Sequence, residues 1–298
     1  MSCILIAIAN PERAALAADL AAELGDAFDA VPRWLADGEA VDMTIEGRSP
    51  AEVRAAAFEI IAASGDPALI DLAVLPPESR QKRLLLSDMD STMITVECID
   101  ELADFAGVKS DVAAITRRAM NGELDFAGAL TERVALLAGL PVGVIDDVYA
   151  ERVRPMAGAR VLVQTMRHFG AATVLVSGGF IPFAERVARD LGFDKAIANR
   201  LEMADGLLTG RVVPPIVGSE TKLSTLTQLM RSHALRPNDT LALGDGANDL
   251  PMIEAAGLGV AFRPHRILAE ASDVVIQVAD LTAVLYLQGV PKQHFFVE

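Results

Sequence analysis

Three short apolar runs constrain this chain more than any other feature: "RLLLSDMDS" (83–91), "ATVLVSGG" (172–179) and "TLALGDGAND" (240–249). Each has the length of a strand, and each stops abruptly in Gly, Ser or Asp. Helix-like stretches lie between them. Strands alternating with helices predict an α/β fold with a Rossmann-like parallel sheet core. Ligands of such sheets bind beyond the carboxyl ends of the strands. All three runs carry their polar clusters at that end, so they point to one shared site.

The rest of the chain divides around this core. Residues 95–155 read as consecutive helices, "VECIDELADFAG", "SDVAAITRRAM", "DFAGALTERVALLAGL" and "VGVIDDVYAERV", and are expected to form a helical cap inserted after the first strand. "LEMADGLLTGRVV" (201–213) predicts a hairpin turning at Asp205-Gly206, and "VVIQVADLTAVLYLQG" a final strand and helix. Residues 1–80 predict a separate small unit. Its expected elements are a strand Cys3–Ala9, an alanine-rich helix Pro11–Leu24, and extended pieces Ala27–Leu35 and Ala40–Ile45 joined across "ADGE". A helix follows, with Ser49 as N-cap and Pro50 at its first position, then a strand Ile70–Leu75. The order βαββαβ is ferredoxin-like. It resembles the small regulatory fold called the ACT domain, which implies a regulatory or dimerising role and a homodimer formed through it. "LPPESRQKR" (75–83) reads as the linker, and residues 81–298 as the larger domain.

Composition narrows the function classes. With 52% hydrophobic residues the chain can bury a sizeable core, yet no segment reaches the ~20 consecutive apolar residues of a membrane span. "MSCILIAIANPER" lacks a basic start, which predicts a strand and not a signal peptide. The two cysteines, Cys3 and Cys98, fit neither a disulfide framework nor a zinc site; they are expected as packed thiols in a reducing, cytoplasmic setting. A net charge of -15 argues against nucleic-acid partners. An anionic substrate would need local positive charge, from a metal and a few Lys or Arg.

The strand ends carry the chemistry. Asp88 and Asp90 stand two residues apart, a spacing that on an extended segment turns both side chains the same way. One carboxylate can attack phosphorus, and a second can protonate the leaving oxygen and then deprotonate water. A close carboxylate pair tends to supply one ionised and one protonated partner. Mg²⁺ suits such hard oxygen ligands. Alone, D-x-D equally fits an Asx-capped turn or a calcium-like acidic loop. Ser177 and the Gly178-Gly179 backbone suit a phosphate, though an ordinary turn has the same composition. Lys222 sits in the first turn of a helix expected to be capped by Ser219. The dipole disfavours a lysine there, which suggests one held by carboxylates or phosphate, though a solvated surface lysine is the commoner arrangement. In "GDGANDLPM" (244–252), Asp245, Asn248 and Asp249 can complete a magnesium shell, or form a glycine-rich turn with a helix cap at Asn248 or Asp249.

Together these four segments resemble the haloacid dehalogenase superfamily of phosphotransferases over residues 83–298. The resemblance implies Asp88 as nucleophile and Asp90 as general acid/base, a second aspartate typical of the phosphatase branch. It implies that Ser177, Gly178 and Lys222 hold phosphoryl oxygens. Asp88, the Asp90 backbone carbonyl and Asp245 would bind Mg²⁺, with Asp249 supporting them and Asn248 beside the substrate. The cap runs "STMITVECIDELA" and "AMNGELDFAGALTERVALLAGL" are similar to the phosphoserine phosphatase branch. That similarity implies a small-molecule substrate, phosphoserine, hydrolysed to serine and phosphate in the last step of serine biosynthesis. Arg133 would pair with its carboxylate and Glu97 with its ammonium, while Met120 and Phe126 close an apolar lid. A zwitterion needs one cation and one anion placed apart, and the arginine fork suits a carboxylate. Read alone, Arg133 could pair with Glu132, Glu97 could lie exposed beside Asp100 and Glu101, and Met120 and Phe126 could be core. The histidines 168, 233, 265 and 294 match no motif.

Overall fold

Alternation of apolar residues builds two sheets from this chain. The computed structural model describes residues 2–10, 12, 16–64, 67–120 and 123–298, without the side chains of Ser64 and Met120. The first unit comprises β1 (Ser2–Ala9), α1 (Ala18–Phe28), β2 (Arg33–Ala36), β3 (Ala40–Glu46), α2 (Pro50–Ser64) and β4 (Ile70–Leu75). Its four-stranded sheet runs β2-β3-β1-β4, with antiparallel pairing throughout. This is the ferredoxin-like arrangement. Ser49 and Glu52 form a reciprocal cap at α2, the Glu52 N–H reaching Ser49 Oγ at 3.3 Å and the Ser49 N–H reaching Glu52 Oε2 at 2.9 Å.

One helix is displaced from its expected position. Of the helix expected over Pro11–Leu24, residues 11 and 13–15 lie outside the described residues. The described helix starts at Ala18 and runs on to Phe28, because Leu20, Ala21, Leu24, Gly25 and Phe28 continue one buried stripe. Asp29 ends it in the left-handed region (φ 51°), so the extended piece expected from Ala27 begins only at Arg33.

The second unit continues with β5 (Leu84–Ser87), α3 (Cys98–Phe105), α4 (Lys109–Met120), α5 (Phe126–Ala135), α6 (Val144–Arg152), α7 (Ala159–His168), β6 (Ala172–Phe180), α8 (Ile181–Leu191), β7 (Lys195–Ala204) and β8 (Leu207–Val213). It ends with α9 (Ser219–Ser232), β9 (Thr240–Gly244), α10 (Leu250–Ala255), β10 (Gly259–Phe262), α11 (Arg266–Ala271), β11 (Val274–Ile276) and α12 (Ala283–Leu287). The seven-stranded sheet runs β11-β10-β9-β5-β6-β7-β8, parallel except for the β7–β8 hairpin. That hairpin turns at Asp205 (φ 49°) and Gly206 (φ 75°), two left-handed residues in a row.

Central strands are apolar on both faces because both faces are covered. Leu85 belongs to one apolar cluster, while Leu84 and Leu86 belong to another on the opposite side. β5 lies between β6 and β9, where the chain order reverses, and this is the crevice in which such sheets hold ligands. Helices α3 to α6 rise from the end of β5 and return beside their own departure point. There Ile94 bridges Pro155, the Thr95 N–H reaches Arg154 O at 3.0 Å, and the Met156 N–H reaches Met93 O at 2.9 Å.

The two units are packed together. In β1, Cys3, Leu5, Ala7 and Ala9 join the cluster under α1 and α2. Ile4, Ile6 and Ile8 point the other way, into the cluster that also holds Val284, Tyr286 and Leu287. The linker is anchored as well. Arg80 donates to Asp42 (2.7 Å) and to the carbonyls of Tyr286 (3.1 Å) and Leu287 (3.2 Å).

Candidate active site

The site begins where β5 stops. The strand ends at Ser87, so Asp88 and Asp90 lie in the loop beyond it and not on extended strand. The Asp88 N–H is bound to the carbonyl of Leu243 on β9 (2.9 Å), which keeps the loop in line with the sheet. One Asp88 oxygen accepts from the Met89 N–H (2.7 Å); the other lies 2.8 Å from Lys222 Nζ. Both oxygens are thereby oriented before any ligand arrives.

Lys222 is fully buried in the first turn of α9, and its ammonium also meets Asp249 Oδ1 at 2.6 Å. Burial opposes its charge, but Asp249 and Asp88 outweigh burial and raise its pKa. The expected cap at Ser219 is corrected. Gly218 occupies the N-cap, and no side chain caps this helix.

Asp249 is pinned from several sides, accepting from the backbone N–H groups of Asp245 (3.2 Å) and Gly246 (3.1 Å) besides Lys222. Asp245 accepts from the Thr92 hydroxyl at 2.7 Å. Asp88, Asp245 and Asp249 each offer an oxygen, and these atoms lie within 4.8 Å of one another. Burial and then the charge of Asp88 push both Asp245 and Asp249 up to about 7. Three hard oxygen donors whose mutual repulsion Lys222 only partly offsets fit a hard divalent cation.

Asp90 is 8% exposed, and one of its carboxylate oxygens has no hydrogen-bond partner among the described residues. Burial, then Glu97 and Asp88, raise its pKa well above the carboxylate norm. A carboxyl whose protonated form is favoured, beside one paired with an ammonium, suits general acid catalysis. Gly179 makes room for it, since a β-carbon there would stand 2.8 Å from Asp90 Oδ2 and 3.1 Å from Ser177 Oγ. Ser177 is buried at the end of β6, where its hydroxyl accepts from the Gly179 N–H at 2.8 Å. Asn248 lies half-buried in the turn after β9, its side chain folded over Gly246.

The cap contributes from above. Glu97 precedes α3 and accepts from the Ser91 hydroxyl at 2.6 Å. Its carboxyl is wetted by the cleft yet crowded by protein, and this desolvation raises its pKa, with Asp88 and Asp100 adding to the rise. Arg133, on α5, is half-buried and donates Nε to the Ala129 carbonyl (3.3 Å). Desolvation lowers its pKa against the pull of Asp100, Glu97 and Asp90, so its charge faces the same cleft. Glu132 is not its partner; Arg118 takes Glu132 at 2.7 Å. Phe126 starts α5, and its ring reaches Gly178 and Gly218 in the sheet unit. The Met120 side chain lies outside the described residues.

Three supporting residues carried no sequence signal strong enough to single them out. Thr92 and Gly218 fall within or beside motifs but have no motif role. Asn199, fully buried on β7, bonds Gly178 O, Val217 O and the Val217 N–H. β7 also carries Lys195, Arg200 and Glu202, so nothing in its sequence sets this amide apart.

Residues 85–254 match the family described as haloacid dehalogenase-like hydrolase. The chain is 47% identical over 213 residues to phosphoserine phosphatase SerB2 of Mycobacterium tuberculosis, covering 72% of this chain and 52% of that protein. It is 42% identical over 257 residues to a phosphoserine phosphatase of Streptomyces coelicolor, covering 86% and 62% respectively. The matched region thus spans between half and two thirds of those relatives' lengths. Among solved structures, a probable phosphoserine phosphatase from Vibrio cholerae, in unliganded form, superposes with a TM-score of 0.77 at 30% identity, over 98% of this chain and 88% of that one. The matched segment, the four-part site and these relatives agree: the chain belongs to the haloacid dehalogenase-like hydrolase family.

Proposed function

We propose that this protein is a Mg²⁺-dependent phosphatase that hydrolyses O-phospho-L-serine to L-serine and phosphate. The observation carrying this reading is the convergence of an oriented carboxylate, Asp88, a neutral carboxyl, Asp90, and the opposite charges of Glu97 and Arg133 on one cleft. The relatives named above support the same substrate.

In this mechanism Asp88 attacks phosphorus in line, and the bond to the serine oxygen breaks as Asp90 gives that oxygen its proton. An aspartyl-phosphate on Asp88 results. Asp90, now ionised, takes a proton from water, whose oxygen attacks the phosphorus and frees Asp88 and phosphate. Lys222, Ser177 and the Gly178 N–H hold the phosphoryl oxygens. Arg133 grips the substrate carboxylate, Glu97 its ammonium, and Asn248 flanks it. Phe126 closes over it and excludes water. Asp88, Asp245 and the Asp90 carbonyl would hold Mg²⁺, with Asp249 behind them. The ion supplies positive charge against the phosphoryl group.

The proposal includes a phosphatase unit of residues 81–298 with its cap at about 95–155, and a regulatory or dimerising unit of residues 1–80. It includes a cytoplasmic setting for serine biosynthesis; among the described residues no helix is long and apolar enough to cross a membrane. Pairing of two copies through the N-terminal unit is supported by the outer face of α2, where Phe58 is 57% exposed.

Phosphate release from L-phosphoserine, D-phosphoserine, phosphothreonine, a sugar phosphate and an aryl phosphate, with Mg²⁺ and with EDTA, tests the reading. Metal-dependent preference for phosphoserine is expected. Metal-dependent activity confined to other esters would discard the roles of Glu97 and Arg133 while keeping the core chemistry.

A further inference from the structure

The Phe126 ring leaves the cap and lies on two glycines of the sheet unit. A β-carbon on Gly178 would stand 2.9 Å from Phe126 Cζ and 3.3 Å from Cε2; one on Gly218 would stand 3.1 Å from Cδ1 and 3.4 Å from Cε1. The two glycines therefore cradle different edges of one ring: a β-carbon on Gly178 would force the ring to shift, and one on Gly218 would press it by a few tenths of an ångström.

This cradle is built without the cap. Gly178 lies in the irregular last part of β6 and Gly218 precedes α9, and the buried Asn199 side chain ties the two segments together. Its Nδ2 donates to Gly178 O (2.8 Å) and to Val217 O (3.1 Å), and its Oδ1 accepts from the Val217 N–H (2.7 Å). Three of the four hydrogen bonds an amide can make are spent on fixing the spacing of the two loops. The cap approaches that preformed notch with a rigid aromatic knob at the very start of α5, the helix that also carries Arg133.

We propose that Gly218 is a positioning residue that latches the cap: with Gly178 and Asn199 it forms the receptacle into which Phe126 seats on closure, bringing Arg133 into register. Gly218 needs to touch no reacting atom to do this. The inference rests on the reading that the cap closes over a small phosphate ester.

Gly218 is the position that tests it. Its backbone is extended (φ −136°, ψ −159°), a region open to any residue, so an added β-carbon strains nothing but the seat. Gly178 would be a poorer test, because its N–H belongs to the proposed phosphate site.

The experiment is a cycle of Gly218→Ala, Phe126→Ala and the double variant, read by kcat/KM on phosphoserine and by deuterium uptake across residues 126–135. Gly218→Ser, which adds the same β-carbon, repeats the cycle independently. With Phe126 present, Gly218→Ala is expected to lower kcat/KM about tenfold and to speed exchange in the first turn of α5. In the Phe126→Ala background the same change is expected to do neither by more than about twofold. Equal losses in both backgrounds, with exchange unmoved, would overturn the latch. Residue 218 would then act through α9, whose Lys222 N–H bonds the Gly218 carbonyl at 3.0 Å. The exchange measurement needs no turnover, so failure to hydrolyse phosphoserine defeats the substrate reading alone.

Discussion

A lysine with no exposed surface bridges Asp88 and Asp249, and the charge balance of the site turns on it. Burial, and then the charge of Asp88 that one ammonium does not fully offset, raise Asp245 and Asp249 to about 7. The consequence for stability has a definite sign. Carboxyls near 7 in the folded chain and about 3.9 unfolded contribute stability that is complete below about 3.9 and lost as pH rises through about 7. Metal-free protein is thus expected to melt at a lower temperature at pH 8 than at pH 5.5. Mg²⁺ should raise the midpoint more at pH 8, because its ligands are then already ionised. Calorimetry with EDTA and with Mg²⁺ checks this, and a midpoint that climbs from pH 5.5 to 8 without metal would refute it. Asp88→Asn removes the nucleophile and one of the repelling charges. It should abolish turnover while flattening that pH slope, whereas near-normal phosphate release would end the nucleophile assignment. Arg133→Ala should lower kcat/KM for phosphoserine by about a hundredfold or more, as a lost charge-assisted pair would, and spare an aryl phosphate. Equal losses on both esters would make Arg133 structural.

Elements place these residues by where they stop. β9 ends at Gly244, and a β-carbon there would lie 2.4 Å from Asp249 Cγ. Asp249 is short and held by Lys222 and two backbone N–H groups, so it cannot step aside. Gly244→Ala should therefore displace the carboxylate and cost most of the activity and most of the Mg²⁺-dependent rise in melting temperature. A variant that keeps that rise would show that Asp249 does not support the metal. Such strand ends were readable in sequence, because glycine, serine and aspartate at the carboxyl end of an apolar run have to be local. Thr92 and Asn199 were not readable. Thr92 bonds a residue 153 positions away, and Asn199 joins two loops that sequence does not show as neighbours. The misjudged start and end of α1 have a similar cause. In an alanine-rich stretch apolar spacing hardly distinguishes one register from another, and the helix end is set by the buried stripe and by Asp29. β1 did carry a signal. An antiparallel strand with one face in water alternates, and "SCILIAIA" does not, since both of its faces are covered.

At the scale of the whole molecule, that double burial joins the N-terminal unit to the fold of the enzyme. The Asp71 carboxylate, 6% exposed on β4, accepts from the backbone N–H groups of Gln277 (2.8 Å), Val278 (3.1 Å) and Ala279 (2.8 Å). The Tyr286 hydroxyl donates to Glu39 at 2.8 Å, and Asn10 donates to Val278 O at 3.0 Å. The gripped segment continues to Leu281, whose N–H bonds Ala157 O at 3.1 Å, at the point where the chain leaves the cap. Two units sharing an apolar cluster and these bonds should unfold as one. Calorimetry of the full chain is expected to show a single transition. Asp71→Ala leaves buried N–H groups without partners, at a cost of about 1–3 kcal/mol for each one left unmet, and should lower the midpoint by about 5–10 °C. Burial raises the Asp71 pKa despite its three donors. Asp71→Asn keeps one acceptor oxygen but turns its NH2 toward N–H groups that the other oxygen served, and should recover only part of the loss. Two resolved transitions in the unaltered protein, or an asparagine variant as unstable as the alanine one, would mean that the N-terminal unit rests on the enzyme without being part of its core.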